Sequence, residues 1–257
     1  MAGLDVKIGA PRQIDRNTLV LMWNRYNDNH ALACQVEAAG GTVLVAENGY
    51  LGKGGTTPKF DVVGGVEAGH YYALAIGGHN GSGRWHWGGP ERFAALDVDL
   101  KPWRTGGDYI LVCPSRNFGR PDLIMPHGWL KQTVDALRNV SPLPVVVRDH
   151  PGNDRPKRPL AEDLERAAAV VVWASSAGVH ALVHGIPVHA GAPHWICKDA
   201  ALDSVKAVLD LIAPSPWMAM GLENSRLREM QRMAWAQWTV DEIASGKPFD
   251  LLLNHNR

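Results

Sequence analysis

Two polar segments in the second half of the chain carry side chains suited to binding phosphate. The first has the sequence RDHPG at positions 148–152 and directly follows the strand-like run Pro144–Val147. The second is the pair Ser175 and Ser176, which follows the apolar run Ala169–Trp173. Hydroxyls and backbone N–H groups at the start of a helix, with basic side chains nearby, bind phosphate oxygens. The spacing therefore predicts a site for a phosphorylated ligand.

The elements that must position these segments are two consecutive βα units. The sequence AVVVWASSAGVHALVHGIPV at positions 169–188 predicts a strand, a serine turn, a helix that ends at Gly185, and a second strand. In a parallel sheet, the serine turn and the RDHPG loop both leave the carboxyl ends of strands, where ligands bind. Ser-Ser alone is also an ordinary helix cap. The two segments together indicate a site.

The pairing of RDHPG with SSAGVHALVHGIPV resembles the His-Pro and Ser-Ser motifs of GT-B glycosyltransferases, including bacterial sialyltransferases and capsule polysaccharide transferases. The resemblance covers about Tyr109 to Pro193. In those families the His and Ser side chains hold the nucleotide and phosphates of an activated sugar, with no obligatory metal. The resemblance implies a nucleotide-sugar co-substrate, with a UDP-sugar favoured, and no obligatory cofactor.

The predicted donor-binding residues combine these motifs with basic neighbours at the same sheet edge. They are Arg116, Arg148, His150, Ser175, Ser176 and Gly178. Negative charge grows on the departing phosphate during transfer, and basic side chains stabilise it. For Arg148 the alternative is a salt bridge to Asp149 or Asp154.

The first half contains three loops that are rich in aromatic and amide residues. Their sequences are WNRYNDNH at 23–30, AENGYLG at 46–52 and GHNGSGRWHWGG at 78–89. This half resembles small phage-encoded proteins related to GT-B transferases, which are associated with glycosylation of hydroxymethylated pyrimidines in DNA. The resemblance implies 5-hydroxymethylcytosine in double-stranded bacteriophage DNA as the favoured acceptor, with a glycan or lipid-linked saccharide as the alternative. The predicted acceptor-binding residues are Trp23, Asn24, Arg25, Tyr26, Asn48, Asn80 and Arg84.

An inverting transfer needs a base that takes the proton of the acceptor hydroxyl. Three residues after predicted strands of the first half are candidates, namely Glu47, Asp28 and His79. Glu47 is preferred because packing poorly explains a carboxylate at the end of a buried strand. The alternative is that it accepts N–H bonds and holds its loop. A retaining mechanism needs no such base.

The pattern predicts an α/β, GT-B-like fold with two Rossmann-like parallel-sheet halves facing a cleft. Residues 1–106 form the predicted acceptor-side domain, 107–221 the donor-binding domain, and 222–257 a C-terminal helix that crosses back. The first half contains a predicted βαβ unit over 18–46 and an apolar run at Tyr71–Ile76. The second half reads βαβαβαβ from Tyr109. A long helix is predicted near Asn224–Ala244.

Charge balance and the motifs that are missing argue against several other classes of protein. The 26 basic and 26 acidic residues balance, although positions 116–158 hold eight basic residues against four acidic ones. No dinucleotide fingerprint, P-loop or histidine pattern typical of metal binding occurs. The three cysteines are expected to be buried. No membrane segment or signal peptide is evident, so a cytoplasmic location is expected, in the host cytoplasm if the protein is phage-encoded.

Two alternatives to glycosyl transfer remain open from the sequence. A nucleotide-sugar epimerase on the same architecture would act on the sugar without an acceptor. A non-catalytic protein that binds nucleotide or DNA would retain the fold without turnover.

Overall fold

The computed structural model describes residues 7–51, 71–116, 118–150, 159–204, 207 and 216–254, with side chains in the last range from 222 onward. The chain divides into two compact units. Unit 1 comprises Met1–Gly89, Phe118–Asp122 and Ala234–Arg257, and unit 2 comprises Pro90–Asn117 and Leu123–Met233. Residues 90–106, which the sequence prediction assigned to the first domain, therefore lie in unit 2. The C-terminal segment 222–257 is divided between the units.

The sheet of unit 1 is mixed. Its strands, in the spatial order β1-β2-β3-β8, are β1 (Leu19–Trp23), β2 (Thr42–Asn48), β3 (Tyr71–Ile76) and β8 (Gln237–Thr239). The strands β1 and β2 are parallel and joined by helix α1 (Asp28–Ala38), as the βαβ prediction for 18–46 required. However, β3 runs antiparallel to both β2 and β8. A short apolar run does not specify strand direction, so the sequence pattern carried no signal for this orientation.

Two apolar layers cover the sheet of unit 1, because side chains alternate between its faces along each strand. Val43 and Val45 of β2 pack on the α1 side with Met22, Ala33 and Val36. The opposite face carries a second core made of Leu44, Leu74, Ile76, Trp235, Trp238 and Leu252. The C-terminal residues thus complete the core of a unit that begins some two hundred residues earlier.

Unit 2 contains an all-parallel sheet in the order β5-β4-β6-β7. Its strands are β4 (Tyr109–Cys113), β5 (Val145–Val147), β6 (Ala167–Val172) and β7 (Val188–Ala190). The helices α3 (Trp129–Val140), α4 (Leu160–Glu165) and α5 (Ala177–Val183) follow the first three strands, and α2 (Glu91–Ala95) precedes the sheet. The predicted βαβαβαβ order is confirmed, and with it the α/β fold class.

The predicted helix at 224–244 is wrong in its second half. Helix α6 (Pro216–Ala234) ends before β8, and α7 (Val240–Ala244) and α8 (Lys247–Asn254) follow. Trp238 pairs with Tyr72 of β3, and its side chain is buried. The apolar spacing suited a helix, but backbone pairing with β3 and burial of the indole outweighed that local preference.

The expected burial of the cysteines holds at two of three positions. Cys113 and Cys197 are buried, and burial raises the pKa of the Cys113 thiol to about 12. Cys34 is exposed on α1, so that expectation is wrong there. Within the described ranges, no helix combines the length and apolarity needed to cross a bilayer. Over the same ranges, no three His, Cys, Asp or Glu side chains are grouped to hold a metal ion.

Candidate functional site

The carboxyl edge of the unit 2 sheet contains the point at which the strand order reverses. The chain leaves β4 for β5 on one side, whereas β6 and β7 lie on the other. Cys113 at the end of β4 pairs with Val172 at the end of β6. Arg148 N–H donates to the Val112 carbonyl at 2.9 Å, so the RDHPG loop begins at this edge. Doubly wound sheets bind ligands in the crevice that such a reversal creates.

The serine turn lies directly at this reversal. The Ala174 N–H donates to the Ser115 hydroxyl at 3.0 Å, which joins the loops after β4 and β6. The Ser175 hydroxyl accepts from the Ala177 N–H at 3.2 Å, so it caps the first turn of α5. Ser176 is exposed, and its side chain makes no capping bond. Ser115 was not predicted, because a single serine after a strand carries no distinctive sequence signal.

Gly178 lies in the first turn of α5 and is buried. A Cβ atom at this position would stand 2.6 Å from Cζ2 of Trp195. The indole N–H of Trp195 in turn donates to the Ser175 carbonyl at 3.2 Å. Gly178 therefore allows the close approach of the ring that holds the serine turn, and its contribution to a donor site is indirect.

Arg148 is ion-paired with Asp163 of α4, and both side chains are largely buried. The sequence alternative named Asp149 or Asp154 as its partner. Asp149 is exposed, whereas Asp154 lies outside the described residues, as do Pro151 and Gly152 of the motif. The pair with Asp163 fixes the start of the RDHPG loop to α4.

Arg116 and His150 are the exposed basic side chains of the predicted donor set. Arg116 follows β4, and His150 follows β5, which neighbours β4 in the sheet. With Ser176 after β6, three exposed polar side chains follow three adjacent parallel strands. This arrangement suits an anionic ligand at the carboxyl edge.

Aromatic residues that the sequence reading did not single out line the same edge. The Trp173 N–H donates to the Leu123 carbonyl at 3.2 Å, and its ring lies edge-on to Trp129 with centroids 5.8 Å apart. A Cβ atom at Gly191 would lie 2.8 Å from the indole nitrogen of Trp129. Trp173 was assigned to the end of the strand, where a buried aromatic residue gives no functional signal.

Glu47 lies near the end of β2 in unit 1, on the face that carries Val43 and Val45. Burial raises the pKa of its carboxyl to about 7, whereas the Asn48 backbone N–H acts in the opposite direction. Trp23 at the end of β1 pairs with Ala46, the residue before Glu47. Glu47 therefore lies beside the loop that follows β1.

Hydrogen bonds from β8 hold the segment after β2. The Gln237 side-chain oxygen accepts from the backbone N–H groups of Tyr50 at 2.7 Å and Leu51 at 3.0 Å. The Tyr50 hydroxyl accepts from the Asn80 N–H at 3.0 Å, which links the loops after β2 and β3. Within the described part of the chain, the buried side-chain oxygen of Asn48 has no hydrogen-bond partner.

Two of the three predicted bases lie at one sheet edge, and the third, His79, lies on a loop that starts at the opposite edge and is linked to the segment after β2 by the bond between Asn80 and Tyr50. Asp28 begins α1 and is exposed, at the same edge as Glu47. The loop that carries His79 and Arg84 follows β3, which is antiparallel, and it starts at the opposite edge where the Gly77 N–H donates to Val43. The reversed direction of β3 separates the start of this loop from Glu47.

Arg25 is one of the predicted acceptor-binding residues. Its guanidinium is buried, whereas an arginine that binds an acceptor directly would be exposed. Its two Nη atoms donate to the Glu37 carboxylate at 2.7 and 2.5 Å, and Nη1 also donates to the Gly77 carbonyl. The Nε atom donates to His30 Nδ1 at 3.3 Å. Arg25 therefore ties the loop after β1 to α1 and to the loop after β3.

Two other predicted acceptor residues, Asn24 and Tyr26, flank Arg25 in a tight turn that also contains Asn27 and precedes Asn29. Asn24 and Asn27 have positive φ angles of 54° and 48°. The Asn29 side-chain amide donates to the Trp23 carbonyl at 3.0 Å. Tyr26 is exposed, and its ring lies edge-on to Phe118 with centroids 4.8 Å apart. Phe118 precedes Gly119, at which a Cβ atom would approach His79 to 3.1 Å.

No protein-family profile matches this chain, and no curated protein matches it. The solved structures that are similar to it include the following two. One is titled Thermosulfurimonas dismutans KpsC, β-Kdo 2,7 transferase, with 17% identity, a TM-score of 0.44, and coverage of 94% of this chain and 86% of that chain. The other is titled Thermosulfurimonas dismutans KpsC, β-Kdo 2,4 transferase, with 14% identity, a TM-score of 0.49, and coverage of 91% and 85%.

Proposed function

We propose that this protein is a glycosyltransferase that moves a sugar from a nucleotide-sugar to a hydroxyl acceptor. The observation that carries the proposal is the succession of Arg116, His150 and Ser176 after three adjacent parallel strands at the reversal of the unit 2 sheet. These residue types bind the phosphates of a nucleotide. His150 and Ser176 also belong to the motifs through which the sequence resembles GT-B donor sites.

The donor site stabilises the departing nucleotide. As the bond between the anomeric carbon and the phosphate oxygen breaks, negative charge accumulates on the phosphate. Arg116 supplies a permanent positive charge, and His150 and Ser176 supply N–H and O–H donors. Arg148 acts indirectly, because its pairing with Asp163 positions the loop that carries His150.

Glu47 is the base of the proposed transfer. Its carboxylate takes the proton of the acceptor hydroxyl, the oxygen forms a bond to the anomeric carbon, and the bond to the leaving phosphate breaks. A base with a pKa near the working pH is both available in its charged form and strong enough to accept a proton. With a pKa of about 7, Glu47 meets both conditions near neutrality.

A saccharide hydroxyl is the first candidate acceptor, and 5-hydroxymethylcytosine in DNA is the second. Unit 1, to which Glu47 belongs, holds ten basic and eleven acidic residues, whereas DNA-binding surfaces need an excess of cations. This balance favours the saccharide. The exposed side chains of Trp23 and Tyr26 are the observation that supports the DNA candidate, because aromatic side chains also stack on an extruded base.

The test measures transfer and nucleotide release from UDP-, CMP- and GDP-sugars. Acceptors are defined oligosaccharides and duplex DNA with 5-hydroxymethylcytosine or cytosine, and products are identified by mass. We expect Glu47→Gln to lower kcat by about 100-fold or more while donor affinity is retained. His150→Ala should weaken donor binding, whereas His127→Ala, a matched change of an exposed histidine in unit 2, should not.

Other outcomes would redirect the assignment. An isomerised nucleotide-sugar without any transfer product would identify an epimerase. Saturable donor binding without turnover on any acceptor would indicate a non-catalytic protein. Full activity of Glu47→Gln would remove Glu47 as the base and leave a retaining mechanism as the alternative.

A further inference from the structure

We propose that Phe118, with Tyr26 and Trp23, forms an aromatic platform that binds a sugar ring of the acceptor beside Asn48. Phe118 lies between β4 and α3 in the sequence, yet it belongs to unit 1. The platform deepens the proposed function and rests on it for the reaction, but saccharide binding is measurable without any donor.

The first step is the exposure of three aromatic rings in one region of unit 1. Trp23, Tyr26 and Phe118 retain 40%, 37% and 43% of their accessible surface. Tyr26 and Phe118 contact each other edge-on at 4.8 Å, and Trp23 contacts Tyr72 edge-on at 6.0 Å. These contacts fix the ring orientations while leaving part of each ring accessible to solvent.

The second step is the rigidity of the turn that presents two of the rings. Asn27 has φ 48° and ψ −122°, a conformation that glycine adopts far more readily. Such strain persists only where surrounding contacts impose it, and it concentrates at functional sites. Here the hydrogen bonds of the Arg25 guanidinium to the Gly77 carbonyl and of the Asn29 amide to the Trp23 carbonyl hold the turn in this conformation.

The third step is the position of Trp23 relative to Asn48. Trp23 pairs with Ala46, and the Asn24 N–H donates to the Ala46 carbonyl at 3.0 Å. Trp23 contacts Tyr72, which pairs with Asn48, so Trp23 and Asn48 share one face of the sheet, whereas Glu47 points to the other face. The buried side-chain oxygen of Asn48 has no hydrogen-bond partner among the described residues and would accept a hydroxyl proton in a hydrogen bond. A sugar stacked on Trp23 would therefore have a hydrogen-bond acceptor on the same face.

The fourth step is the kind of ligand that these groups suit. A sugar ring has an apolar C–H face for stacking and a rim of hydroxyls for amide and carboxylate partners. A nucleic-acid backbone needs accessible cations, whereas two arginines that flank the rings in the chain are paired, Arg25 with Glu37 and Arg120 with Asp122. The observations favour a saccharide.

The experiment compares the wild type with Phe118→Ala, Phe118→Tyr, Tyr26→Ala and the control Trp87→Ala. Trp87 is also an exposed aromatic residue of unit 1, at 50%. An array of defined oligosaccharides and a duplex with 5-hydroxymethylcytosine are tested without nucleotide-sugar, and the strongest saccharide is then titrated by calorimetry. We expect Phe118→Ala and Tyr26→Ala to bind about tenfold more weakly, and Trp87→Ala to bind as the wild type does.

Phe118→Tyr keeps the ring and should restore binding, which separates ring loss from misfolding. Unchanged saccharide affinity in Phe118→Ala and Tyr26→Ala would overturn the proposal, as would the absence of saturable saccharide binding by the wild type. Binding of the duplex in preference to every saccharide would overturn it in favour of DNA. Failure of sugar transfer, with ring-dependent saccharide binding intact, would instead contradict the proposed function alone.

Discussion

Glu47 holds its proton at a pH where an exposed glutamate has lost it. Burial at the end of β2 disfavours the charged form, and no cation among the described residues forms an ion pair with it to offset that cost. The native state therefore binds more protons than the unfolded state between about pH 4.5 and pH 7. Because of that difference, stability falls as the pH rises through this interval and is level above it.

Glu47→Gln should remove this loss of stability with rising pH, because the amide stays neutral at every pH. We expect the variant to gain stability relative to the wild type between pH 5 and pH 8, by up to about 3 kcal/mol. Urea unfolding at the two pH values measures the gain, with the exposed Glu91→Gln as the control. An equal difference at pH 5 and pH 8 would show that the carboxyl ionises freely in the native state.

Asn27 provides a second test at the residue scale, because its backbone angles suit glycine. We expect Asn27→Gly to stabilise the protein by about 1 kcal/mol, since the relief of strain exceeds the added entropy of the unfolded chain. Asn29→Gly should destabilise it instead, because Asn29 lies within α1 and its amide holds the Trp23 carbonyl. Urea unfolding measures both. A destabilised Asn27→Gly protein would mean that the side chain, rather than strain, is important there.

At the scale of elements, α5 depends on its contact with Trp195. In an open helix, alanine would be more favourable than glycine by up to about 1 kcal/mol. At Gly178 the added methyl would meet the buried indole at 2.6 Å, and the indole also bonds the Ser175 carbonyl. A change in this packing is therefore transmitted to the serine turn.

We expect Gly178→Ala to destabilise the protein by about 2 kcal/mol and to weaken nucleotide-sugar binding. The penalty should shrink in a Trp195→Phe background, because phenylalanine lacks the outer ring of the indole. Chemical unfolding of the two single variants and the double variant measures this coupling. Strict additivity of the two changes would contradict the proposed clash.

At the scale of the whole molecule, unit 1 is assembled from three separate stretches of chain. Trp235 and Trp238 lie in its second core, and the Leu74 N–H donates to the Ala236 carbonyl at 2.8 Å. Phe118 is brought to Tyr26 from between β4 and α3. The first hundred residues alone therefore do not make this unit.

A chain that ends at Met233 should consequently lose protection from hydrogen exchange in β3. The truncation removes β8, which pairs with β3, and the two large aromatic side chains of the core. Hydrogen exchange followed by mass spectrometry measures the amides of Tyr71–Ile76. A chain that ends at Asn254 is the control and should exchange as the full chain does. Retained protection of β3 in the shorter chain would show that unit 1 folds without its C-terminal part.

Local patterns accounted for much of the fold. The βαβ unit predicted over 18–46 is found as β1, α1 and β2, the second half begins with a strand at Tyr109, and α5 ends at Val183, two residues before the predicted stop at Gly185. Glycine stops and apolar periodicity act over a few residues, so the sequence contains them directly. The donor and acceptor roles of the site residues stay predictions.

What the sequence by itself determined is the succession of βα units and the polar types that follow their strands, because both depend on neighbouring residues. Only the tertiary structure decided the antiparallel direction of β3, the strand at Gln237–Thr239, and the partners of Arg25 and Arg148. These features depend on groups that are distant along the chain. Their free energy comes from burial and charge pairing, which exist only after folding has brought those groups together.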